Sequence, residues 1–423
     1  MISVFRKNSA DFIRFYLLNI QYTQFILWRT IMANDEKLLR TLPAGSLGLI
    51  PLESFKEMGK KVDKYLVDWR MKREHELSDT TTLNGYKRDT YILSASCPRF
   101  GSGEAKGVIK ESVRGYDLYL MVDVTNHHLT YSLCGHTNLM SPDDHFADLK
   151  RVIAAIGGKA RRITVIIPFL YESRQHKRTS RESLDCALAL QDLIKMGVDN
   201  IITFDAHDPR VQNAIPLNGF DTVQPAYQFI KGILGNTKDL KIDNDHLMVI
   251  SPDEGGTNRA VYLANVLGVD MGMFYKRRDY SKIVDGRNPI VAHEFLGASV
   301  EGKDVLIIDD MISSGDSMID VATELKKRKA NRIFVVATFG LFTNGLEKFD
   351  KAYENGIIYR LVTTNLTYQD AELLAKPYYI NCDMSKYIAY IIDTLNHDVS
   401  ISDLLDPYDR IHRLIDKYKT ENN

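Results

Sequence analysis

Short apolar runs rich in β-branched residues recur along most of the chain, and segments with helical spacing lie between them. Continuous apolar runs indicate strands covered on both faces, and strands that alternate with helices indicate parallel sheets. The runs are Leu118–Val124, Ile163–Ile167, Ile201–Phe204, Leu247–Ile250, Met271–Tyr275, Val305–Ile308 and Ile333–Ala337. The spacing predicts helices over 53–73, 182–196, 256–267 and 316–329. The sequence therefore predicts an α/β protein.

Length, charge and cysteine usage exclude several other classes. The 423 residues are 44% apolar and 26% charged, which is the composition of a globular protein with room for two or three domains. The 54 basic and 55 acidic residues nearly balance, so the positive field of a nonspecific nucleic-acid binder is absent, and we expect no nucleic-acid partner. The four cysteines form no Cys-x-x-Cys pair, which indicates reduced thiols in a cytoplasmic protein.

Residues 1–31 differ from the rest, being rich in aromatic residues, isoleucine and leucine. Polar residues such as Arg14 and Gln21 interrupt the segment before it reaches the length of a membrane-spanning helix, and it lacks a signal-peptide pattern. We therefore expect no membrane partner. Met32 opens a stretch typical of a natural N-terminus. We interpret 1–31 as an extension that lies upstream of the true start or forms a peripheral helix.

Ligands of such sheets bind beyond the carboxyl ends of the strands, and the run ending at Ile308 has the strongest candidate residues. Paired carboxylates at a buried strand end are costly without a partner and suit vicinal sugar hydroxyls. Glycine allows a ligand to approach the backbone, while serine hydroxyls and a helix start bind an anion. These features predict a sugar-phosphate site, whose residues are Asp309, Asp310, Ser313, Ser314, Gly315 and Ser317. An ordinary turn with serine caps is the alternative.

Four further segments follow strands. Asp253 precedes two glycines and suits a hard cation, although a capped turn has the same pattern. His207 lies between two carboxylates and suits a metal or a phosphate, although many histidines are structural. The basic loop 174–178 suits a polyphosphate or a solvated surface. Three cations at 276–278 open the stretch 279–294, whose glycine, proline and mixed charge predict a mobile catalytic flap.

The loop 309–317 resembles the ribose-5-phosphate-binding signature of type I phosphoribosyltransferases, and the ordered set of motifs resembles the ribose-phosphate pyrophosphokinase family. The matching segments are Phe100–Glu104, Glu111–Gly115, Ser173–Arg178, Asp205–His207, Ser251–Gly256, Lys276–Arg278 and 309–317. Three residues depart from the pattern. His176 replaces an acid, Ser313 stands where many transferases have an aspartate, and Asp316 adds an acid to the phosphate loop.

This resemblance implies an α/β fold of two phosphoribosyltransferase-like domains, each a mostly parallel sheet flanked by helices, with the active site between them. It implies an N-terminal domain over 32–225 and a C-terminal domain with the ribose-phosphate loop over 226–385. A C-terminal helix and tail follow over 386–423, with the helix around 385–396 returning to the first domain. The charged tail 406–423 is expected to be a peripheral helix or a frayed end.

The resemblance also implies an activity: Mg²⁺-dependent transfer of the diphosphate of ATP to the 1-hydroxyl of ribose 5-phosphate, which yields AMP and phosphoribosyl diphosphate. Such a transfer needs positioning and charge neutralisation and no nucleophilic side chain. The resemblance further implies a homo-oligomer, commonly a hexamer.

The roles implied by the resemblance fall into four groups. Lys276 and Arg278 are catalytic and close over the reacting phosphates, Arg174 and Gln175 bind ATP, and His207 and Asp253 lie at the metal. Asp309 and Asp310 take the ribose hydroxyls, and the 5-phosphate is taken by Ser313, Ser314, Gly315 and Ser317.

Two other functions fit part of the pattern. A phosphoribosyltransferase would use the same sugar-phosphate loop without ATP, but the Arg174-Gln175 element and the 276–278 cations argue against it. A non-catalytic subunit that regulates a synthetase would be expected to lose flap or metal residues. Lys276, Arg278, Asp253 and His207 are all present.

Overall fold

The computed structural model describes residue 38 and residues 41–76, 85–278 and 290–422. The predicted extension 1–31 and residues 279–289 of the predicted flap lie outside this part. The strands are β1 Ser46–Pro51, β2 Ala95–Ser96, β3 Val108–Ile109, β4 Tyr116–Met121, β5 Thr130–Leu133, β6 His136–Leu139, β7 Arg162–Ile166, β8 Asn200–Phe204, β9 Gly219–Val223, β10 Leu247–Ser251, β11 Asp270–Arg278, β12 Ile290–Leu296, β13 Asp304–Ile312, β14 Ile333–Gly340, β15 Arg360–Thr364 and β16 Tyr379–Cys382.

Eleven α-helices follow these strands or close the chain within the described ranges. They are α1 Lys56–Glu76, α2 Pro142–Ile156, α3 Asp185–Lys195, α4 Ala226–Asn236, α5 Thr257–Leu267, α6 Asp316–Lys327, α7 Glu347–Glu354, α8 Ala371–Ala375, α9 Ser385–Asn396, α10 Ser402–Leu405 and α11 Tyr408–Asn422. Short 3-10 helices cover Glu53–Phe55 and Pro209–Ala214. None of the helices in the described ranges is long and apolar enough to cross a membrane.

The first sheet has five parallel strands in the order β1-β4-β7-β8-β9. Both faces of this sheet carry apolar side chains, and helices cover both faces. The α1 side chain of Leu66 packs with Tyr119 on one face, whereas the α2 side chain of Leu149 packs with Leu120 on the other. Each face therefore buries a separate core, as the continuous apolar strands predict.

The second sheet has seven strands in the order β12-β11-β10-β13-β14-β15-β16, parallel except for β12. The chain leaves β10 toward β11 on one side and later returns to β13 on the other side. The carboxyl ends of β10 and β13 thus flank a point where the strand order reverses, which is where such sheets bind ligands.

The C-terminal helices contact both sheets. Helix α9 packs on α1, where buried Asp393 accepts hydrogen bonds from Arg70 at 3.0 and 3.1 Å and contacts Arg73. Helix α11 instead packs on α4 and α5 and buries Ile411 and other apolar side chains. Of the two forms expected for the tail, the structure shows the helix, and its apolar face fills part of the second core.

The α/β architecture predicted from the sequence is confirmed, with differences at the strand ends. Strand β13 runs to Ile312, four residues past the predicted end, because Asp309 still pairs with Ala337 and Ile312 with Gly340. Residues 290–294 were expected in the flap, but they belong to β12, which pairs antiparallel with β11. The apolar runs do not predict β1, β9, β12, β15 or β16 of the two large sheets, nor the short strands β2, β3, β5 and β6.

Candidate active site

The carboxyl ends of β8 and β13 bring two predicted site residues together. His207 follows β8 of the first sheet, and Asp310 lies near the end of β13 of the second sheet. The Nδ1 atom of His207 lies 2.6 Å from Oδ2 of Asp310. The histidine side chain is 36% exposed, whereas the carboxylate is buried. The site therefore lies between the two sheets, and the carboxylate fixes the orientation of the imidazole.

A buried ion pair lies directly behind this contact. Asp205 adopts a left-handed backbone conformation (φ 40°) just after β8, and its Oδ1 accepts a 2.6 Å hydrogen bond from Nε of Arg259. Its Oδ2 accepts a 2.7 Å bond from the hydroxyl of Thr338 in β14. Arg259 also lies 3.7 Å from Asp310. Residues from both sheets thus form one charged network, whose hydrogen bonds offset the cost of burial.

The two carboxylates of the acidic pair differ in their proton affinity. Burial, reinforced by the neighbouring charge of Asp310, raises the pKa of Asp309 well above its usual value. Burial acts on Asp310 too, but the hydrogen bond from His207 and the charge of Arg259 outweigh it and lower the pKa of Asp310. The pair therefore carries its negative charge on Asp310, beside the imidazole and the guanidinium.

The loop after β10 lies against Asp309. The Oδ1 atom of Asp253 accepts hydrogen bonds from the backbone of Gly255 at 2.9 Å and of Gly256 at 3.3 Å. A Cβ atom at Gly256 would lie 2.9 Å from the Ser251 hydroxyl and 3.5 Å from the Asp309 carboxylate. The glycine therefore lets this loop come close to the acidic pair.

The predicted phosphate loop connects β13 to α6. Gly315 has φ +85°, and a Cβ atom there would lie 2.3 Å from the ring of Phe349, so the position requires glycine. Helix α6 begins directly after it, and the first backbone N–H groups of a helix have no intrahelical partner. The extra acid, Asp316, is exposed and pairs with Lys348. This partner offsets the charge that would oppose a phosphate.

The predicted ATP-binding residues lie in the loop after β7, at the same edge of the first sheet. Arg174 is exposed, and the Gln175 amide donates a 2.8 Å hydrogen bond to the carbonyl of Ser183. Neither contacts the acidic pair. His176 links this loop to the site, because its Nε2 lies 3.5 Å from Asp208 and its ring centroid lies 5.3 Å from that of His207.

Lys276 and Arg278 lie in the last residues of β11. Ser251 at the end of β10 pairs with Met273, so these cations follow beyond the same edge of the sheet as Asp253. Their side chains lie outside the described part of the structure.

The donor groups at these strand ends fit a magnesium ion that keeps several of its water ligands. The described residues contain no group of three or more His, Cys, Asp or Glu side chains placed to hold a metal. A site with few protein ligands still fits Mg²⁺, which usually keeps several waters and binds through one or two carboxylates and substrate phosphates. Asp253 supplies such an oxygen, and the Asp310 contact at Nδ1 leaves Nε2 of His207 as the ring's remaining ligand atom.

Sequence reasoning missed the roles of Asp205, Arg259 and Thr338. Asp205 belongs to the matching segment Asp205–His207, and Arg259 lies in the first turn of α5 after the glycine pair, so the sequence shows both as charged residues that follow strands. Their pairing was not visible, because 54 residues separate them in the sequence. Thr338 lies inside an apolar strand, and nothing in the sequence marks it as a functional residue.

Two family models match this chain. A model of the N-terminal domain of ribose phosphate pyrophosphokinase matches residues 47–197, and a phosphoribosyl transferase domain model matches residues 220–359. Two sheets of this topology, with an acidic pair and a Ser/Gly loop at the strand reversal, define a protein of the phosphoribosyltransferase type.

Curated relatives identify the family within this class. The ribose-phosphate pyrophosphokinase of Vibrio cholerae is 30% identical over 313 residues, which are 73% of this chain and 90% of the relative. That of Mycoplasma genitalium is 31% identical over 274 residues, or 64% of this chain and 74% of the relative. The chain belongs to the ribose-phosphate pyrophosphokinase family. The solved structure of phosphoribosylpyrophosphate synthetase from Mycobacterium smegmatis shares the fold, with a TM-score of 0.65, 20% identity, and coverage of 84% of this chain and 99% of that one.

Proposed function

We propose that this chain transfers the diphosphate of ATP to the 1-hydroxyl of ribose 5-phosphate, giving AMP and 5-phosphoribosyl 1-diphosphate. Family membership supports this reaction, and one observation ties it to the geometry. The 2.6 Å contact between His207 and Asp310 joins the edge that presents the candidate ATP loop to the edge that presents the candidate ribose-phosphate loop. A two-substrate transfer needs this arrangement, because both reactants must meet in line.

The proposed roles divide between the carboxyl edges of the two sheets. Arg174 and Gln175 bind ATP from the first sheet. Asp309 and Asp310 accept the ribose hydroxyls from the second sheet. The 5-phosphate accepts hydrogen bonds from backbone N–H groups and hydroxyls of the loop before α6 and of its first turn. The residues are Ser313, Ser314, Gly315 and Ser317. Two observations support this phosphate site: the positive φ of Gly315 and the pairing of Asp316 with Lys348.

Charge neutralisation is the main catalytic requirement of the proposed step. His207 and Asp253 would hold Mg²⁺, and the bound ion would neutralise negative charge on the phosphate oxygens. Lys276 and Arg278 stabilise the charge that develops as AMP departs. The low pKa of Asp310 keeps that carboxylate ionised, so it holds the imidazole of His207 toward the phosphates.

A direct assay tests the reaction. Purified protein is incubated with ATP, Mg²⁺ and ribose 5-phosphate, and AMP and phosphoribosyl diphosphate are quantified. We expect AMP that depends on the sugar phosphate, with one phosphoribosyl diphosphate for each AMP. Absence of AMP, with ribose 5-phosphate still bound, would contradict the proposal. A panel of nucleobases with phosphoribosyl diphosphate would then separate a transferase from a non-catalytic subunit.

We further propose that the protein works as a homo-oligomer in the cytoplasm. The support is family membership and four cysteines that form no disulfide. Light scattering of the purified protein measures the assembly, and a monomer at the concentration of full activity would contradict it.

A further inference from the structure

His176 stands in the candidate ATP loop where the resembled family has an acid, and the proposed reaction gives it no role. The loop after β7 turns on its own backbone, where the N–H of Gln175 donates a 2.9 Å hydrogen bond to the carbonyl of Glu172. His176 follows this turn directly. Its ring lies against both His207 and Asp208, so this residue is a point where the loop meets the segment after β8.

Asp208 presents a fixed carboxylate to this imidazole. Its Oδ1 accepts hydrogen bonds of 2.9 Å from the backbone N–H and from Nε of Arg210, which hold the side chain in place. The other oxygen, Oδ2, lies 3.5 Å from Nε2 of His176. The two side chains are only 12% and 11% exposed, so water and salt screen their attraction less than that of a surface pair. The carboxylate absent from position 176 therefore stands on the neighbouring strand end.

The His176 ring also packs on the imidazole of His207. The two ring centroids lie 5.3 Å apart, and the rings are tilted by 59°. His207 in turn contacts Asp310 through Nδ1 at 2.6 Å. Two imidazoles thus stand between two carboxylates, those of Asp208 and Asp310. One ring belongs to the candidate ATP loop and the other carries a candidate metal-binding atom, so movement of the first ring would remove packing from the second.

One nitrogen sets the orientation of the His176 ring. Its Nδ1 is buried and has no hydrogen-bond partner among the described residues. The tautomer with the proton on Nε2 gives that proton the Asp208 oxygen as its acceptor and avoids an unpaired buried N–H at Nδ1. The ring therefore depends on Asp208 for its polar contact in the described part of the chain, and His207 supplies part of its packing.

We propose that His176 is a positioning residue for ATP. Its imidazole, held by Asp208 and packed on His207, fixes the preceding ATP-binding element relative to the end of β8. That element is Arg174-Gln175. The ring acts through these neighbours and not by contact with the reacting phosphates. The inference rests on the proposed function, which supplies the nucleotide, and it adds a residue that the family pattern does not contain.

Nucleotide binding without turnover gives the direct test. Calorimetric titration with ATP and Mg²⁺, in the absence of ribose 5-phosphate, compares the wild type with His176→Ala. We expect ATP to bind about tenfold more weakly to the variant, because a contact to a shielded charge is lost. The affinity for ribose 5-phosphate, titrated alone, should stay unchanged, whereas a general structural defect would lower both affinities. His176→Gln keeps an N–H donor near the position of Nε2 and should restore most of the ATP affinity.

His412→Ala serves as the control for loss of a histidine ring. His412 lies on α11, and its Nε2 is likewise buried with no hydrogen-bond partner among the described residues. Its ring packs on Tyr408 at a centroid distance of 4.2 Å. This variant should keep the wild-type affinity for both substrates. An equal loss of ATP affinity in the two alanine variants, or an equal loss of both affinities in His176→Ala, would overturn the proposal.

The pairing with Asp208 has a test of its own. His176→Asp introduces the acid of the family pattern, but here it faces a second carboxylate, so ATP should bind more weakly than to His176→Ala. Asp208→Ala in this background removes the repulsion and should recover part of the affinity. No recovery, or unchanged ATP affinity in His176→Ala, would refute the positioning role even if the wild type forms AMP.

The wild type separates this failure from that of the proposed reaction. Protein that binds ATP with the expected dependence on His176, but forms no AMP with ribose 5-phosphate, would contradict the reaction and leave the positioning role supported. Wild-type protein that binds no ATP would contradict both.

Discussion

The hydroxyl of Thr338, in a strand of the second sheet, donates a 2.7 Å hydrogen bond to Asp205, at the end of a strand of the first sheet. The same carboxylate binds Arg259 at 2.6 Å and is 3% exposed. The strand ends that carry the candidate substrate loops are therefore held together by a buried charge, and removing this charge should affect both stability and activity.

Asp205→Asn keeps an oxygen acceptor but leaves Arg259 without its nearest counter-charge. We expect the free energy of unfolding to fall by about 3–5 kcal/mol, as for other broken buried ion pairs. Thr338→Val removes one hydrogen bond and should cost about 1 kcal/mol. Urea titrations of both variants measure the difference. Equal losses would show that the charge of Asp205 contributes little.

The acidic pair should respond asymmetrically to amide substitution. Burial and the charge of Asp310 raise the pKa of Asp309, so ionising Asp309 costs stability above that pKa. Asp309→Asn should therefore leave thermal stability near pH 8 unchanged or increase it, whereas Asp310→Asn should lower it, because His207 and Arg259 lose their partner. Both should weaken ribose 5-phosphate binding in calorimetry. A stability loss confined to Asp309→Asn would reverse this assignment.

Gly315→Ala should damage the phosphate loop. The new Cβ atom would meet the Phe349 ring at 2.3 Å in a left-handed backbone conformation, so we expect a loss of about 2–4 kcal/mol in unfolding free energy. Gly345→Ala is the matched control. It has a similar φ of +73° but no atom within 4 Å, and it should cost only about 1 kcal/mol. Calorimetric melting of both proteins would show whether the steric contact matters.

The buried carboxyl of Asp123 should make stability depend on pH. Burial raises its pKa from 3.8 to about 6, so the folded protein keeps a proton that the unfolded chain has released. The resulting stability is full below about pH 4 and is lost as the pH rises through 6; the two-unit shift corresponds to about 3 kcal/mol. The stability of the wild type minus that of Asp123→Asn should therefore fall by this amount from pH 4 to 7. A constant difference would contradict the raised pKa.

Lys276→Ala tests the proposed catalytic role of this residue. If Lys276 stabilises charge in the transition state, turnover should fall by orders of magnitude, with a much smaller change in the affinity for ribose 5-phosphate. Steady-state kinetics and calorimetric titration measure the two effects. Near-normal turnover would remove Lys276 from the mechanism.

The sequence revealed those elements whose signal is local. Buried central strands such as β7 and β10 are continuous apolar runs, and the loop around Gly315 combines acids, hydroxyls and glycine within nine residues. Strand β9 carries polar residues and is half-buried at a sheet edge, so it lacked this signal.

Contacts between distant segments left no pattern in the sequence. His207 and Asp310 are both candidates from the sequence, but they are 103 residues apart, and their contact depends on how the two sheets pack together.

Helix α9 has a consequence for how the protein is made. Its Asp393 neutralises Arg70 and Arg73 of α1, and its Asn396 donates a 2.8 Å hydrogen bond to Asp117 in the first sheet. A ribosome adds roughly 5–20 residues per second, so this helix emerges on the order of ten seconds after the end of β9. During that interval Arg70 and Arg73 lack the carboxylate of Asp393, and the apolar side chains that pack against α9 lack this cover. The amino-terminal sheet therefore completes its buried face only after the whole of the second sheet has been synthesised.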